Sequence, residues 1–338
     1  AILVSAAILR QIKPDLFRPE DARGVAELFR EVYGDSYPAK IVYQPDRLVE
    51  AFESGDNIPV VVRTGDGRVI GYSSLFRAAP NKGVYEKGNG AVSRAYRNAG
   101  VMGLIFEYVG KMVPGIAGIK VFFGEPVCNH VYIQKAALAH LPFVETALEV
   151  DLMPAEAYEQ EKSASGRVST LLMFITVVRH PHTVYVPDAY SVQCGHIYSG
   201  LDDERVFSIS KEEIPSSPGT RIETDVFDFA RVARINVYES GADFEKVLFA
   251  REEEMLAQNV TVMQVFLDLS CPWIGKIADV LREKGYFFGG ILPQWFGGDG
   301  LLMQKIYGTP NWEGIHVFSE RAGRILESAR SDWQRTLM

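Results

Sequence analysis

Apolar residues recur along this chain at two spacings, one helical and one alternating, and the points where they exchange mark out its elements. Val25, Leu28, Phe29 and Val32 fall on one face at helical spacing, which predicts an amphipathic helix over residues 22–33, with Glu20 and Asp21 beside its positive end. Residues 45–54 read as a second helix. The apolar, β-branched runs 58–63 and 68–78 are joined by Thr64-Gly65-Asp66-Gly67, a hairpin signal. Residues 84–92 read as a third strand of this series, interrupted by Gly88 and Gly90, and such glycines mark a bulge or the close approach of a ligand. Then come a helix over 100–112 ended by Val113-Pro114-Gly115, a strand at 119–123, a helix at 129–141 and a strand at 147–153. With a short strand before Pro19, the order is β, α, α, β, β, β, α, β, α, β.

Beyond a connection at 154–167, rich in Ala, Glu, Ser and Gly and partly helical, strands are expected at 171–178, 182–186, 221–229 and 232–237. A helix is expected over 188–200 and a polar, proline-containing stretch over 210–220. The end of the chain alternates: helix 244–258, strand 260–269, helix 273–284, strands 286–292 and 301–306. At 338 residues the chain exceeds the roughly 250–300 at which a single core stops growing. The expected division is a first domain at 1–153, a linker at 154–167, a second domain at 168–310 and a helical tail at 311–338.

Hydrophobic residues at 47% and charged residues at 23% supply enough apolar surface for real cores. A net charge of −8 argues against a general nucleic-acid surface, which needs a clustered positive field. Cys128, Cys194 and Cys271 are odd in number, far apart and without metal-ligand spacing, which suits reduced thiols in a cytoplasmic protein. No metal is expected: His180, His182 and His196 lack carboxylates at ligand spacing. The apolar residues 1–9 lack the basic start of a secretion signal and read as a terminal strand or a remnant, and no run approaches the roughly 20 apolar residues of a membrane span.

The chemistry concentrates between Val92 and Leu104, where a strand gives way to a helix. The first helical turn leaves backbone N–H groups without intrahelical partners, and with the helix dipole they form a site for an anion such as a pyrophosphate. The run Arg97-Asn98-Ala99-Gly100-Val101-Met102 is similar to the Q/R-x-x-G-x-G/A pattern of the GNAT N-acetyltransferases, and the order of elements over about residues 12–153 resembles a whole domain of that family. The resemblance implies an α/β (α+β) fold of two GNAT-like domains, each a mixed, mostly antiparallel twisted sheet flanked by helices, and acetyl-CoA or another acyl-CoA as cofactor.

By position it makes Arg97, Asn98, Ala99, Gly100, Val101, Met102 and Gly103 the pyrophosphate loop. It makes Ala91, Val92 and Ser93 backbone contacts for the pantetheine arm, with Asn129 a further contact. Met102 departs from the pattern, since a larger side chain stands where the family has Gly or Ala. Aminolysis of a thioester needs a group to take the ammonium proton and a donor for the developing oxyanion. Glu86 is the candidate base, against the plainer reading of a strand-edge carboxylate; Tyr85 points to the opposite face. In the family a tyrosine on the helix after the fifth strand protonates the leaving thiolate, but alanines occupy that region here. Tyr132 is the candidate acid, with His130 beside it; a surface aromatic and a helix cap are the plainer readings.

The run from 260 to 306 resembles the end of a second such domain. Yet Tyr238-Glu239-Ser240-Gly241-Ala242-Asp243-Phe244 does not match the loop pattern, and Glu239 and Asp243 would repel a pyrophosphate. The expectation is a tandem protein with one cofactor site and a degenerate second repeat. Either it acylates an amine by direct attack, or it holds acyl-CoA, or serves as an interaction module, without turnover. The acceptor is a small-molecule or peptide amine of unspecified identity; a homodimer is allowed, and nucleic acid and membrane are not expected partners.

Overall fold

The computed structural model describes residues 12–35, 37–157 and 164–338. The expected terminal strand at 1–9 lies outside them, as does the middle of the connection at 154–167. The described residues divide into two compact units, one holding those of 12–78, 82–124 and 136–142, the other those of 79–81, 125–135 and 143–338.

In the first unit β1 (Lys13–Leu16), β2 (Asn57–Arg63), β3 (Val69–Arg77) and β4 (Val84–Val92) pair antiparallel in that order, and β5 (Val121–Gly124) joins β4 in parallel. Helix α1 (Ala22–Tyr33) buries Val25, Leu28, Phe29 and Val32, as its spacing predicts, against Val61, Tyr72 and Ala91 of the sheet. It stops at Gly34, whose φ of +63° suits a residue without a side chain and whose amide closes on the Arg30 carbonyl. Helix α2 (Pro45–Glu53) adds Leu48 to the same core, while α3 (Val101–Met112) packs on β1, β2 and β3.

Helix α4 (Tyr132–His140) starts in the second unit and ends in the first. The second unit holds β6 (Val144–Met153), β7 (Val168–Thr176), β8 (Thr183–Val186), α5 (Ser191–Tyr198), β9 (Val206–Ile209), β10 (Arg221–Phe227) and β11 (Val232–Glu239). It continues with α6 (Phe244–Ala257), β12 (Val262–Asp268), α7 (Ile274–Glu283), β13 (Phe287–Leu292), β14 (Gly300–Ile306) and α8 (Glu320–Arg335). Seven of these strands run β7-β6-β13-β14-β12-β11-β10 across one mixed sheet. The exposed β9, absent from the sequence reading, pairs in parallel with β8.

The order β3, β4, α3, β5, α4, β6, β7 recurs as β10, β11, α6, β12, α7, β13, β14. Pairing repeats as well: β3·β4 and β10·β11 are antiparallel, β4·β5 and β11·β12 parallel, β6·β7 and β13·β14 antiparallel. The order of elements and their pairing therefore repeat along the chain. The boundary at 153 is not where the compact units part. Residues 154–167 connect two strands, β6 and β7, that lie side by side, and β6 also meets β13 at Ala147↔Gly290, so the strands on both sides of the expected linker belong to one unit.

Candidate cofactor site

The first unit opens where β4 and β5 part. They pair only at Val84↔Val121, Tyr85↔Phe122 and Glu86↔Phe123, so the rest of β4, Lys87–Val92, runs on without β5 beside it. On its other edge β4 stays bonded to β3, through a bulge in which Tyr72 faces Ala91 and Ser74 faces Gly88. Two β4 residues, Asn89 and Gly90, thus stand opposite Ser73, and Asn89 takes a φ of +53°.

The bonds at the end of β4 sort the three expected arm contacts. The Ser93 amide donates to the Ile70 carbonyl at 2.9 Å, and Ala91 faces Tyr72 in the same hydrogen-bonding phase, so both are turned to β3. Because phase alternates along an antiparallel pair, the N–H and C=O of Val92 point to the edge that β5 has left. Ser93 Oγ donates to Glu31 at 2.8 Å, and so does the Arg94 amide. Burial raises the Glu31 carboxyl, but these two donors and Arg68 bring it below its usual range.

The chain then makes two tight steps into α3. Asn98 has a φ of +66° and Gly100, the N-cap, a φ of +76°. No side chain caps this helix end. The Ala99 amide is taken by the Tyr96 carbonyl at 3.2 Å, and the first bond of the helix runs from the Leu104 amide to the Gly100 carbonyl. Val101, Met102 and Gly103 precede that bond, so theirs are the open donors of the first turn. Arg97 and Arg94 are exposed beside it. The Met102 side chain turns toward β4: its Cε lies 3.2 Å from where a Cβ on Gly90 would sit.

On the α1 face, Glu86 is half-buried across from Phe76, and its Oε1 is 2.8 Å from the position of a Cβ on Gly88, so the missing side chain there leaves room for the carboxylate. Tyr33 donates its hydroxyl to the Gly90 carbonyl at 2.9 Å and Tyr37 to Asn89 Oδ1 at 3.4 Å. On the α3 face stands Lys87, which the sequence reading did not single out. Its position directly after Glu86 in the glycine-broken strand was the available signal.

Asn129, His130 and Tyr132 belong to the second unit. Tyr132 is 76% exposed and its ring lies 5.2 Å from that of His130. The surface-aromatic reading of Tyr132 agrees with that exposure.

The corresponding place in the second repeat is built differently. Strands β11 and β12 pair over six residues, from Val232↔Val262 to Val237↔Leu267, and do not part as β4 and β5 do. The turn before α6 is filled by the chain's own residues: Ala242 donates its amide to the Ser217 carbonyl at 3.1 Å and Gly241 donates to Thr220 Oγ1 at 3.1 Å. Asp243 Oδ1 accepts from the amides of Gly219 and Thr220, which with the Thr220 hydroxyl hold its carboxyl below the usual range. Trp273 Nε1 donates to the Ser240 carbonyl at 3.0 Å. The expected repulsion by Asp243 takes a more specific form, since this carboxylate anchors a loop over the helix end.

No family model and no curated protein matches the chain. Among solved structures, it is similar to a chimera of the spermidine N-acetyltransferase SpeG from Vibrio cholerae and hSSAT, at 11% identity over 49% of this chain and 96% of that one, with a TM-score of 0.40. It is also similar to the ribosomal-protein-S5-alanine acetyltransferase from Vibrio fischeri (14%, 49% and 93%, TM-score 0.39). A third is a protein from Desulfovibrio desulfuricans described as an acetyltransferase of the GNAT family (14%, 49% and 99%, TM-score 0.38). Likeness this distant leaves activity to be argued from the site itself. No helix among the described residues is long and apolar enough to cross a membrane.

Proposed function

We propose that this chain is an acyl-coenzyme A-dependent N-acyltransferase, most simply an N-acetyltransferase, with one cofactor site, in its first repeat. The observation that carries the reading is the parting of β4 from β5 after Glu86↔Phe123, directly beside a helix whose first three amides are open. An anion at those amides and an extended arm along the free edge of β4 are the two demands of a nucleotide thioester, and these residues fit both. The amides of Val101, Met102 and Gly103 hold the pyrophosphate, Arg97 adds charge, and the Val92 backbone pairs with the arm.

Acyl-coenzyme A, when bound, would supply a thioester carbonyl open to an amine. Glu86 stands on the face that carries Tyr33, Tyr37 and Asn89, so that face receives the acceptor and the Glu86 carboxylate takes its ammonium proton. The acceptor is a primary amine.

Met102 beside Gly90 and the exposure of Tyr132 favour a second reading, in which the protein holds acyl-CoA without turnover. Turnover of acetyl-CoA with a panel of polyamines, amino acids and lysine peptides separates them. Thiol release with any acceptor, reduced in Glu86→Gln, supports the enzyme; binding without release on every acceptor supports the second reading.

A further inference from the structure

The opening between β4 and β5 has a cation at its apex. Lys87 is the first β4 residue beyond the last β4·β5 pair, and its carbonyl lies 3.7 Å from the position of a Cβ on Gly124 at the end of β5. Its side chain takes the face opposite Glu86. There Nζ sits 3.9 Å above the centroid of the Phe106 ring and 3.3 Å from Ser73 Oγ.

No carboxylate pairs with this ammonium among the described residues. Of its neighbours, Tyr85 donates its hydroxyl to the Gly55 carbonyl, and Glu107 lies 3.5 Å from His140, whose ring stacks on Phe106. Glu86 points to the other face, and β5 contributes only backbone at Gly124. Burial pushes the Lys87 ammonium down to about 7. An aromatic face and one hydroxyl replace only part of the water such a cation gives up, so the position is short of an anion.

The five steps from Val92 back to Lys87 cover about 17 Å at the usual strand rise of about 3.3 Å per residue. An arm whose pyrophosphate sits at Val101–Gly103 and which follows this edge brings its far end, the sulfur, to the apex. We propose that Lys87 binds the sulfur of coenzyme A there and holds it as a thiolate. The proposal rests on the cofactor reading above. It supplies the positive charge for the departing sulfur in a chain that has alanines where a tyrosine donor is expected. Thiolate and ammonium shift each other, the sulfur downward and Lys87 upward, and titrate as a pair.

The test follows the ultraviolet absorbance of the thiolate while the complex of coenzyme A with the full chain is titrated with base, in the unaltered protein and in Lys87→Met, with desulfo-coenzyme A as the binding control. The bound thiol is expected to titrate about one to three pH units below the free thiol. Lys87→Met is expected to abolish the shift while binding desulfo-coenzyme A as the unaltered protein does. Binding of both cofactors with an unshifted thiol overturns this proposal alone, and failure of both to bind overturns the cofactor reading with it. Retention of the shift in Lys87→Met, or transfer of the acetyl group of acetyl-CoA onto Lys87, also overturns it. An unshifted thiol in the unaltered protein overturns the proposal even where the variant does not fold.

Discussion

Met102 Cε stands 3.2 Å from where a Cβ on Gly90 would be, so the side chain that departs from the glycine or alanine of the loop pattern lies over β4 at Gly90. A cofactor arm that passes Gly90 has to displace it. Moving a side chain to a poorer rotamer costs about 0.5–1.5 kcal/mol. Met102→Ala is expected to strengthen coenzyme A binding by up to about tenfold, read by calorimetry. Unchanged or weaker binding would mean that the arm does not pass Gly90.

Glu86→Gln keeps the shape of the side chain and removes its ability to take a proton. The expected outcome is a fall in kcat of about 100-fold or more with the affinity for acetyl-CoA nearly unchanged. Equal losses in affinity and turnover would instead place the carboxylate among the groups that shape the strand.

Much of this site was legible along the chain. The period of Val25, Leu28, Phe29 and Val32, the Thr64–Gly67 turn and the strand-to-helix passage at Gly100 are local signals, carried by residues a few positions apart. What escaped depends on pairing over longer distances. That Ser93 spends its amide on Ile70, and Ala99 on Tyr96, follows from register, which residue types do not announce. Nor does the sequence say that β4 loses β5 after Glu86, which alone turns Lys87 from an ordinary strand lysine into a group of interest. The loop at Ser217–Thr220 read as a polar connection because nothing in its composition says that it closes the end of α6.

In the second unit Asp299 is buried and accepts from Arg205 Nε at 2.6 Å, from the Tyr198 hydroxyl at 3.0 Å and from the Gln294 amide at 2.8 Å, with His182 Nε2 at 3.3 Å. Burial works to raise its carboxyl, but His182 and the Arg205 charge outweigh it and hold the group at about 2. A carboxyl depressed in the folded state lends stability that is present above its unfolded value of about 3.9 and is lost as the pH falls toward 2. Acid denaturation is therefore expected to steepen between about pH 4 and pH 2, by on the order of 2–3 kcal/mol from this group. Asp299→Asn, which leaves the buried guanidinium with Asp203 alone, is expected to lower stability at neutral pH by about 3 kcal/mol and to flatten that acid limb, as urea titrations across the pH range will show.

The second repeat should contribute no cofactor site, because β11 and β12 remain paired and Asp243 holds the Ser217–Thr220 loop over the helix end. Asp243→Ala is expected to leave coenzyme A binding at one site per chain. A second equivalent of cofactor, in the unaltered protein or in this variant, would contradict the contrast drawn between the repeats.

The central claim, one acyl-coenzyme A site at the opening between β4 and β5, is tested most directly by calorimetric titration of the unaltered protein and of Gly100→Glu with acetyl-CoA. The substitution puts a negative side chain at a φ of +76° on the N-cap beside the open amides. The account predicts saturable binding at one site per chain, lost in Gly100→Glu while the variant still melts cooperatively. No binding at millimolar acetyl-CoA, or binding that the variant retains in full, would contradict it.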